Sequence, residues 1–414
     1  MNIAARPSPA GRTPPDREER SGDPKVRIVL FDDFATAEPT WRRLAEAQPL
    51  ATPYQRFEWI EHWFTHVGRL EGATPLVVAG LDGDDAPLFI LPFVSLRRCG
   101  CHVARFCGGN HSNLNMPMWR PEAGLAATQV DAVLAEIAAI RDIDLFALHG
   151  QPQIWQGVPN PFAALARQPS PDDVFTGLLD GDESMPHLPS GMRKKGRKLT
   201  KLEGFRYAMA ATPDEADHIL QAFRTQKAAR FAKQGIRNVF EDAGVMPFIH
   251  AACLDGIVEG RPVIELHALA GAGEVLAIVG GVSNAHRFSV MFNSITAGDY
   301  ARMSPGIILM SKIVAACAQR GIASYDLGAG QAHYKSYFCS GAEQRFDSFI
   351  PFSGRGRLLA AAYQASGAVR RSLKSSPALM NAFQAVRRWT TAAAGRPGAG
   401  EPADRDRSPT RDGE

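Results

Sequence analysis

The stretch that decides the fold contains, in order, SVMFNSI (289–295), DYARMSPG (299–306), IILMSKIVAACAQR (307–320) and IASYDL (322–327). The β-branched and aromatic runs predict two strands, and Pro305-Gly306 predicts the start of the helix between them. At a helix start, unpaired backbone N–H groups coincide with the positive end of the helix dipole, and this favours phosphate. We therefore expect a phosphate site at Ser304, Pro305, Gly306 and Ile307, although an ordinary Pro-Gly turn has the same sequence pattern.

The segment that follows, YDLGAGQAHYKSYF (325–338), combines an acid with a tyrosine-rich helix. Asp326 lies near the end of a predicted buried strand and needs polar partners that offset its desolvation. Tyr334 is predicted in the first turn of the next helix, with Tyr337 three residues further along the same face. A strand, a phosphate-binding helix start, a parallel strand and a tyrosine-rich helix, in this order, are typical of acyltransferases that use coenzyme A.

The side chains that could act on a thioester follow from its chemistry. Its leaving group is a thiolate, and a phenol held nearby can donate a proton to it. Tyr334 is the preferred donor and Tyr337 the alternate, unless both are packing residues. Glu265 and His267 share one face of a predicted strand, and either could deprotonate an acceptor or simply line the surface. Further polar contacts are expected from Asn293 and Ser294 on the strand 289–295.

Length and composition bound the class of protein. A chain of 414 residues with 45% apolar residues predicts two domains with sizeable cores. The net charge of +3 does not favour a nucleic-acid partner. The sequence shows neither a membrane span nor a hydrophobic leader, which predicts a cytoplasmic protein. The six cysteines lack zinc-type spacing, so we expect reduced thiols and no metal.

An internal pseudo-repeat organises the predicted folded part. Each half has a hairpin pattern, at 74–94 and at 262–282, followed by a strand, a loop, a helix and a further strand. In the first half the helix is expected over 124–141 and the last strand over 143–150. The predicted divisions are a disordered tail (1–24), an N-terminal domain (25–185), a C-terminal domain (190–355), a helical segment (356–391) and a second disordered tail (392–414).

Two basic segments have alternative interpretations. A helix loosened by Gly196 is predicted to carry one of them. This segment could contact the ribose 3′-phosphate of coenzyme A, contact an anionic acceptor, or be a solvated helix face. The other, an amphipathic helix over 357–389, could lie weakly on a membrane surface or pack on its own domain. A Gly-rich loop at 107–113 could line a groove between the halves. The first basic segment consists of Arg193, Lys194, Lys195, Arg197, Lys198 and Lys201.

Three stretches resemble one known group of proteins. They are TPYQRFEWIEHWF (52–64), the basic run before a helix (192–202), and YARMSPG (300–306) together with YDLGAGQAHYKSYF (325–338). The chain resembles the GNAT-superfamily acyltransferases associated with cellulose and exopolysaccharide synthesis, called CelD-like or BcsL-like, which are relatives of the FemABX peptidyltransferases. The likeness covers most of 57–349 and is strongest over 265–349.

The resemblance implies an α/β fold of the α+β type. It would have tandem GNAT-like domains, each a mixed, mostly antiparallel sheet flanked by helices. It also implies an acyl-CoA donor in the second domain and transfer to an amine or hydroxyl of an unknown acceptor. At the matching positions, the 304–307 loop would hold the phosphates of coenzyme A, with Arg302 and Asn293 as further donor contacts. The matching polar set is Asp326, Tyr334 and Lys335.

Two alternatives to this function stay open at the level of sequence. One is FemABX-type transfer of an amino acid from aminoacyl-tRNA, which the basic run at 193–201 favours. The other is a non-catalytic binding module of a polysaccharide-synthesis complex, docked through the C-terminal helix. For an acyltransferase we expect direct attack on the bound thioester, with backbone N–H groups near 293–296 polarising its carbonyl group.

Overall fold

The computed structural model describes residues 26–123, 127–179 and 188–375. The predicted tails, the first residues of the helix predicted from 124, and residues 376–391 of the predicted helical segment lie outside the described residues. Within the described ranges, no helix is long and apolar enough to cross a membrane. The six cysteines are free thiols, as the sequence predicts.

The strands are numbered in chain order. Their bounds are β1 Arg27–Phe31, β2 Thr74–Leu81, β3 Pro87–Arg98, β4 Cys101–Phe106, β5 Met118–Trp119, β6 Leu145–Pro152, β7 Ile154–Trp155, β8 Val158–Pro159, β9 Gln168–Pro169, β10 Val174–Leu178, β11 Arg206–Met209, β12 Glu265–Gly271, β13 Glu274–Ser283, β14 Arg287–Ile295, β15 Ser324–Ala329, β16 Gly341–Glu343 and β17 Arg345–Pro351. The helices are α1 Phe34–Glu46, α2 Phe57–Trp63, α3 Ala127–Arg141, α4 Ser190–Leu199, α5 Pro213–Gln234, α6 Val245–Leu254, α7 Pro305–Gln319 and α8 Gly354–Ser375.

Two large sheets have the same topology, so the predicted duplication is confirmed. The first has the order β1-β2-β3-β4-β6-β17-β9, with β5 beside β3, and the second has the order β11-β12-β13-β14-β15-β10-β16. In each sheet the fourth and fifth strands are parallel, β4 with β6 and β14 with β15, while their neighbours pair antiparallel. The predicted fold class, mixed and mostly antiparallel sheets flanked by helices, is therefore confirmed.

Each sheet receives a strand from the other half of the chain. β10 belongs to the first half of the sequence but pairs with β15 and β16 of the second sheet. β17 belongs to the second half of the sequence but pairs with β6 and β9 of the first sheet. Both exchanged strands occupy the same position, next to the fifth strand of the sheet. The exchange crosses the predicted division between 25–185 and 190–355, and those domain bounds stay a prediction.

One apolar core joins the helices of both halves. It contains Trp41 and Trp59 of the first half together with Phe223 and Phe248 of the second. The rings of Trp59 and Phe248 meet edge to face, with their centroids 5.4 Å apart. Aromatic pairs of this kind add to the free energy of area burial, so the packing of the two halves on one another belongs to the core itself.

Two helices differ from the sequence prediction. α4 is continuous through Gly196 and is not loosened there. A side chain at this position would place Cβ 3.1 Å from Ile308 Cδ1 of α7, so the glycine lets the two helices approach closely. The sequence also predicts a helix over roughly 244–259, but α6 ends at Leu254, because Gly256 has a φ of 74° and turns the chain away.

Candidate active site

The parallel strands β14 and β15 separate at the centre of the second sheet. They pair only from Arg287 opposite Ser324 to Ser289 opposite Asp326. Beyond Ser289, β14 also carries a bulge at Met291 in its pairing with β13. The side of β14 that faces β15 therefore has backbone groups that lose their strand partner. We call the space between the separating strands the strand gap.

A side chain of the first half fills the base of the strand gap. Asn113 Nδ2 donates to the Val290 carbonyl oxygen at 2.8 Å and lies 3.3 Å from Asp326 Oδ1. Arg345 Nη1 donates to the Asn113 carbonyl oxygen at 2.7 Å and thereby holds this loop in place. The Gly-rich loop at 107–113, expected between the halves, thus ends on a residue that both sheets contact.

Asp326 is a fully buried acid at the point where the strands separate. The Ser289 hydroxyl donates to its Oδ2, and the Gly328 backbone N–H donates to its Oδ1 at 3.0 Å. Burial raises the pKa of Asp326 above its ordinary value, and these hydrogen bonds and the charge of Arg287 only partly oppose the rise. The prediction that this acid needs several polar partners is confirmed, and those partners bind it to both strands.

The helix start predicted to bind phosphate lies beside the strand gap. Ser304 has a left-handed backbone conformation, with φ 56° and ψ 50°, and Pro305 is the first residue of α7. A Cβ at Gly306 would lie 3.0 Å from Ile295 Cγ2, so the glycine packs the helix start against the end of β14. Pro305 has no N–H, and the Ile307 N–H donates to the Ser304 carbonyl oxygen at 3.1 Å. The helix start therefore presents the Gly306 N–H next to the open edge of the sheet.

A lysine of the basic segment reaches this helix start. Lys195 Nζ on α4 donates to Ser304 Oγ at 3.1 Å. Arg193, Lys194, Arg197 and Lys198 are exposed on the same short helix. The cationic amine and the positive end of the α7 dipole thus converge on one point, which is the arrangement that an anionic group requires.

Tyr334 reaches β14 at the strand gap, beyond the last residue pair that joins β14 to β15. It lies on a single 3-10 turn, His333–Tyr337, and hydrogen-bonds to Asn293 of β14. Burial raises the pKa of Tyr334, and the hydrogen bond from Asn293 opposes that rise in part. Tyr337 is half-buried in the same apolar cluster. The structure thus brings Asn293, Tyr334 and the start of α7 together on one side of the sheet.

Lys335 and Arg302 have different surroundings from those of the residues at the helix start. Lys335 Nζ donates to the carbonyl oxygens of Gly328, Ala329 and Gly330 at 2.8, 3.2 and 2.7 Å. An ammonium group has three N–H donors, so these bonds use all of them. Arg302 is exposed and lies 3.5 Å from Asp299 in the loop before α7. Lys335 therefore holds the turn after β15, while Arg302 remains at the surface near the helix start.

Glu265 and His267 lie at the opposite end of α7. Arg320 is the C-terminal cap residue of α7. Its guanidinium donates to both carboxylate oxygens of Glu265, at 2.6 and 2.7 Å. His267 Nε2 lies 3.2 Å from the same carboxylate. A helix of 15 residues is about 22 Å long, so this cluster is far from the helix start. Ser294 also points away, because its hydroxyl donates to Gln226 Oε1 on α5 at 2.7 Å.

Sequence reasoning missed two features of the strand gap. The first is the bulge at Met291, for which the sequence has no marker, since the residue lies within an unbroken strand pattern. The second is the bond from Asn113 to Val290, which joins residues 177 positions apart. One sequence signal points to a polar side chain inserted between the sheets, namely the pair Asn113 and Asn115 in the motif NHSNLN (110–115).

Comparisons with known proteins agree with this geometry. Residues 190–336, which include α4, α7 and the turn that carries Tyr334, match the family model described as an acetyltransferase (GNAT) domain. No curated protein matches the chain at a significant level of sequence similarity. Together with the strand gap and the helix start, the family match supports an acyltransferase with a GNAT-type domain.

Two solved structures share the fold over most of the chain. One is a conserved protein of unknown function from Bacteroides thetaiotaomicron VPI-5482, with 12% identity, a TM-score of 0.50, and coverage of 78% of this chain and 100% of that chain. The other is FemX, with 9% identity, a TM-score of 0.54, and coverage of 78% and 97%. At these identities the likeness shows the fold alone, and the CelD-like or BcsL-like group stays a prediction.

Proposed function

We propose that the chain transfers an acyl group from acyl-CoA to an amine or hydroxyl acceptor. The observation that carries the proposal is the start of α7, where the N–H group of Gly306 and the amine of Lys195 converge beside the strand gap. A pyrophosphate suits this point, and the open edge of β14 suits an extended amide chain that pairs with a strand. The domain match over 190–336 supports the same donor class.

The chemistry that we propose is direct attack on the bound thioester. The lone pair of the acceptor forms a bond to the carbonyl carbon, the carbon–sulfur bond breaks, and coenzyme A leaves as a thiolate. Tyr334 would donate its hydroxyl proton to that thiolate, and burial, which raises the pKa of Tyr334, keeps the phenol protonated at neutral pH. Backbone N–H groups of β14 beyond Ser289 would polarise the carbonyl group. A sugar or a cell-envelope precursor is the acceptor class that the resemblance suggests.

Calorimetric titration with acetyl-CoA and longer acyl-CoAs tests the donor site. We expect micromolar binding by the wild-type protein and at least a tenfold loss in Gly306→Asp, because the new carboxylate would repel phosphate. Gly354→Asp is the matched control, since it adds the same charge at the exposed start of α8. Absence of binding by the wild-type protein, or equal losses in both variants, would contradict the proposal.

Tyr334→Phe tests the proposed chemistry separately from binding. We expect turnover to fall at least tenfold while donor affinity stays within twofold, because the hydroxyl acts on the leaving group. Tyr207→Phe is the control, since Tyr207 bonds to His267 at the far end of α7. Unchanged turnover in Tyr334→Phe would remove this residue from the mechanism.

The second candidate function is transfer from aminoacyl-tRNA. The observation that favours it is the exposed basic face of α4 beside the helix start. A tRNA donor would give binding that weakens steeply with salt, because many counterions are released, whereas one coenzyme A contacts few cations. The salt dependence of donor binding therefore separates the two functions.

A further inference from the structure

A second polar cavity, of about 490 Å³, lies where the two sheets meet. Its wall includes Asn113, His149 and Asp347 of the first sheet and its loops, and Ala329 at the end of β15. Tyr363 and Arg370 of α8 close its outer side. We call it the interdomain cavity. It shares Asn113 with the strand gap, and the donor site described above uses none of its other residues.

A histidine in the interdomain cavity is held by a buried carboxylate. His149 Nδ1 lies 3.4 Å from Asp347 Oδ2, and the imidazole packs edge to face against Phe349 and Tyr363, with centroid distances of 5.1 and 5.9 Å. The side chain of His149 is 51% exposed, whereas that of Asp347 is 5% exposed. Its Nε2 has no hydrogen-bond partner among the residues that the structure describes.

Asp347 is fixed independently of the histidine. The Gly150 backbone N–H donates to its Oδ1 at 2.9 Å, and the Ser170 hydroxyl donates to the same oxygen. Burial alone would raise the pKa of Asp347, but the hydrogen bonds from His149, Ser170 and Gly150 and the His149 charge lower it below its ordinary value. A fixed anion on the Nδ1 side favours the tautomer that leaves Nε2 able to accept a proton.

The pseudo-repeat places this histidine next to the strand gap. In each sheet the fifth strand has a bulge that contains a left-handed glycine, Gly150 with φ 69° and Gly328 with φ 75°. His149 precedes the first glycine, as Leu327 precedes the second. Asn113 lies between the two: a Cβ at Gly328 would be 3.3 Å from its Nδ2, and one at Gly150 would be 3.8 Å from its carbonyl oxygen. One asparagine therefore separates the interdomain cavity from the strand gap.

We propose that the interdomain cavity holds the acceptor and that His149, oriented by Asp347, is the base that deprotonates it. This inference rests on the proposed transfer function and adds the residue that the donor site lacks. As the nucleophile attacks the carbonyl carbon, its N–H or O–H proton passes to His149 Nε2. The carbon–sulfur bond breaks and the thiolate takes a proton from Tyr334 or solvent. Tyr334 regains a proton from solvent, and His149 releases its proton to solvent.

Several charged groups share the interdomain cavity with His149. The groups that line the cavity with it are Asp347 and Arg345 on β17, Asp172 before β10, and Tyr363 and Arg370 on α8. Arg345 donates to the carbonyl oxygens of Asn113 and Asp172, so its guanidinium is a fixed neighbour. A general base contributes a rising limb to the pH profile of turnover, and we expect this limb to disappear when the imidazole is removed.

The test measures donor binding and thiol release in the same preparations. Binding of acetyl-CoA, or of the acyl-CoA with the highest affinity, is followed by calorimetry. Release of coenzyme A is followed with a thiol reagent, with water and a panel of amino sugars as acceptors. The variants are His149→Ala and Asp347→Asn. The matched control is His250→Ala, because His250 also bonds to an aspartate, Asp217, but on the exposed faces of α5 and α6.

We expect His149→Ala to bind donor within twofold of wild type, to release thiol at least tenfold more slowly, and to regain rate with added imidazole. Asp347→Asn should retain part of the rate and shift the rising pH limb. Equal release by wild type, His149→Ala and His250→Ala would overturn the role of His149, whatever the absolute rate. Absence of donor binding by the wild-type protein would instead refute the proposed function on which the inference rests.

Discussion

Glu265 is the residue whose position differs most from its predicted role. The sequence suggests a general base, but the structure surrounds its carboxylate with Arg320, His267 and Ser283 at the C-terminal end of α7. Burial alone would raise the pKa of Glu265, and the hydrogen bonds from His267 and Arg320 lower it to about 2. An acid that stays ionised at every physiological pH and uses its oxygens for internal bonds is suited to holding α7 against β12 and β13.

The first prediction concerns the stability that this carboxylate contributes. Because its pKa falls from 4.5 to about 2 on folding, the contribution is complete above pH 4.5 and declines as the pH falls toward 2. A shift of this size corresponds to about 3 kcal/mol. We therefore expect Glu265→Gln to lower the free energy of unfolding by a few kcal/mol at pH 7 and by less at pH 3.

Urea unfolding at the two pH values measures this difference. Glu241→Gln is a suitable control, since Glu241 lies on the exposed loop between α5 and α6 and bonds only to Asn238 among the described residues. A destabilisation of the same size at both pH values would show that shape, and not ionisation, explains the effect.

At the scale of elements, the contact between α4 and α7 links the basic segment to the helix start. Gly196 allows the close approach of the helices, and Lys195 reaches Ser304 as a result. Packing therefore places Lys195 beside the helix start where we propose the donor phosphates, and contact of the basic run with coenzyme A stays a prediction. Lys195 lies at the helix start, while most of its neighbours form an exposed face.

We expect Lys195→Met to weaken acyl-CoA binding about tenfold, because a cation is lost where the pyrophosphate is proposed to bind. Lys312→Met, on the exposed face of α7, removes the same charge from the same pair of helices and should change affinity less than twofold. Titration calorimetry at low and physiological salt measures both. Equal effects of the two substitutions would mean that net charge, and not position, determines affinity.

The elements could be predicted wherever one local pattern governs the backbone. Between Arg287 and Tyr337, β14, α7 and β15 form as the sequence predicts, because strand alternation and the Pro-Gly helix start each act over a few residues. The predicted tyrosine-rich helix is instead a single 3-10 turn, His333–Tyr337. The prediction for α4 was wrong at Gly196, since the intrinsic helix penalty of glycine is outweighed by the tertiary contact with Ile308. Local propensity gives no information about such a contact.

The candidate active site could be predicted about as well as the helices and strands. The start of α7, Asn293 and Tyr334 come together as expected, because they lie on neighbouring elements of one strand–helix–strand unit. Lys335 was expected at the donor, but its bonds to three carbonyl oxygens depend on the turn geometry after β15. The contribution of Asn113 depends on how the two halves pack, which no pattern within either half specifies.

At the scale of the whole molecule, the exchanged strands make the two halves interdependent. A fragment 190–355 would lack β10, which is central between β15 and β16 in its sheet. It would also lack Asn113, which bonds to Val290 at the strand gap. A fragment 25–185 would lack β17, which lies between β6 and β9 in the first sheet. Each fragment would therefore expose backbone groups that need a strand partner.

We expect both fragments to be unfolded or aggregated when expressed alone, and co-expression to restore a folded complex. Circular dichroism and size-exclusion chromatography measure this outcome. As a control, the bounds can be moved so that 170–355 includes β10, and this fragment should gain structure relative to 190–355. A folded, monomeric 190–355 that binds acyl-CoA would contradict the interdependence.

The exchange of β17 also sets the order in which the molecule can form during synthesis. Its residues leave the ribosome long after β6 and β9, about 9–40 s later at a translation rate of ~5–20 residues per second. Until then the nascent first sheet has an open edge at β6, whose residues are largely buried in the finished protein. Chaperones that cover this edge, and the speed of translation, should therefore govern the yield of native protein more than the stability of the completed fold does.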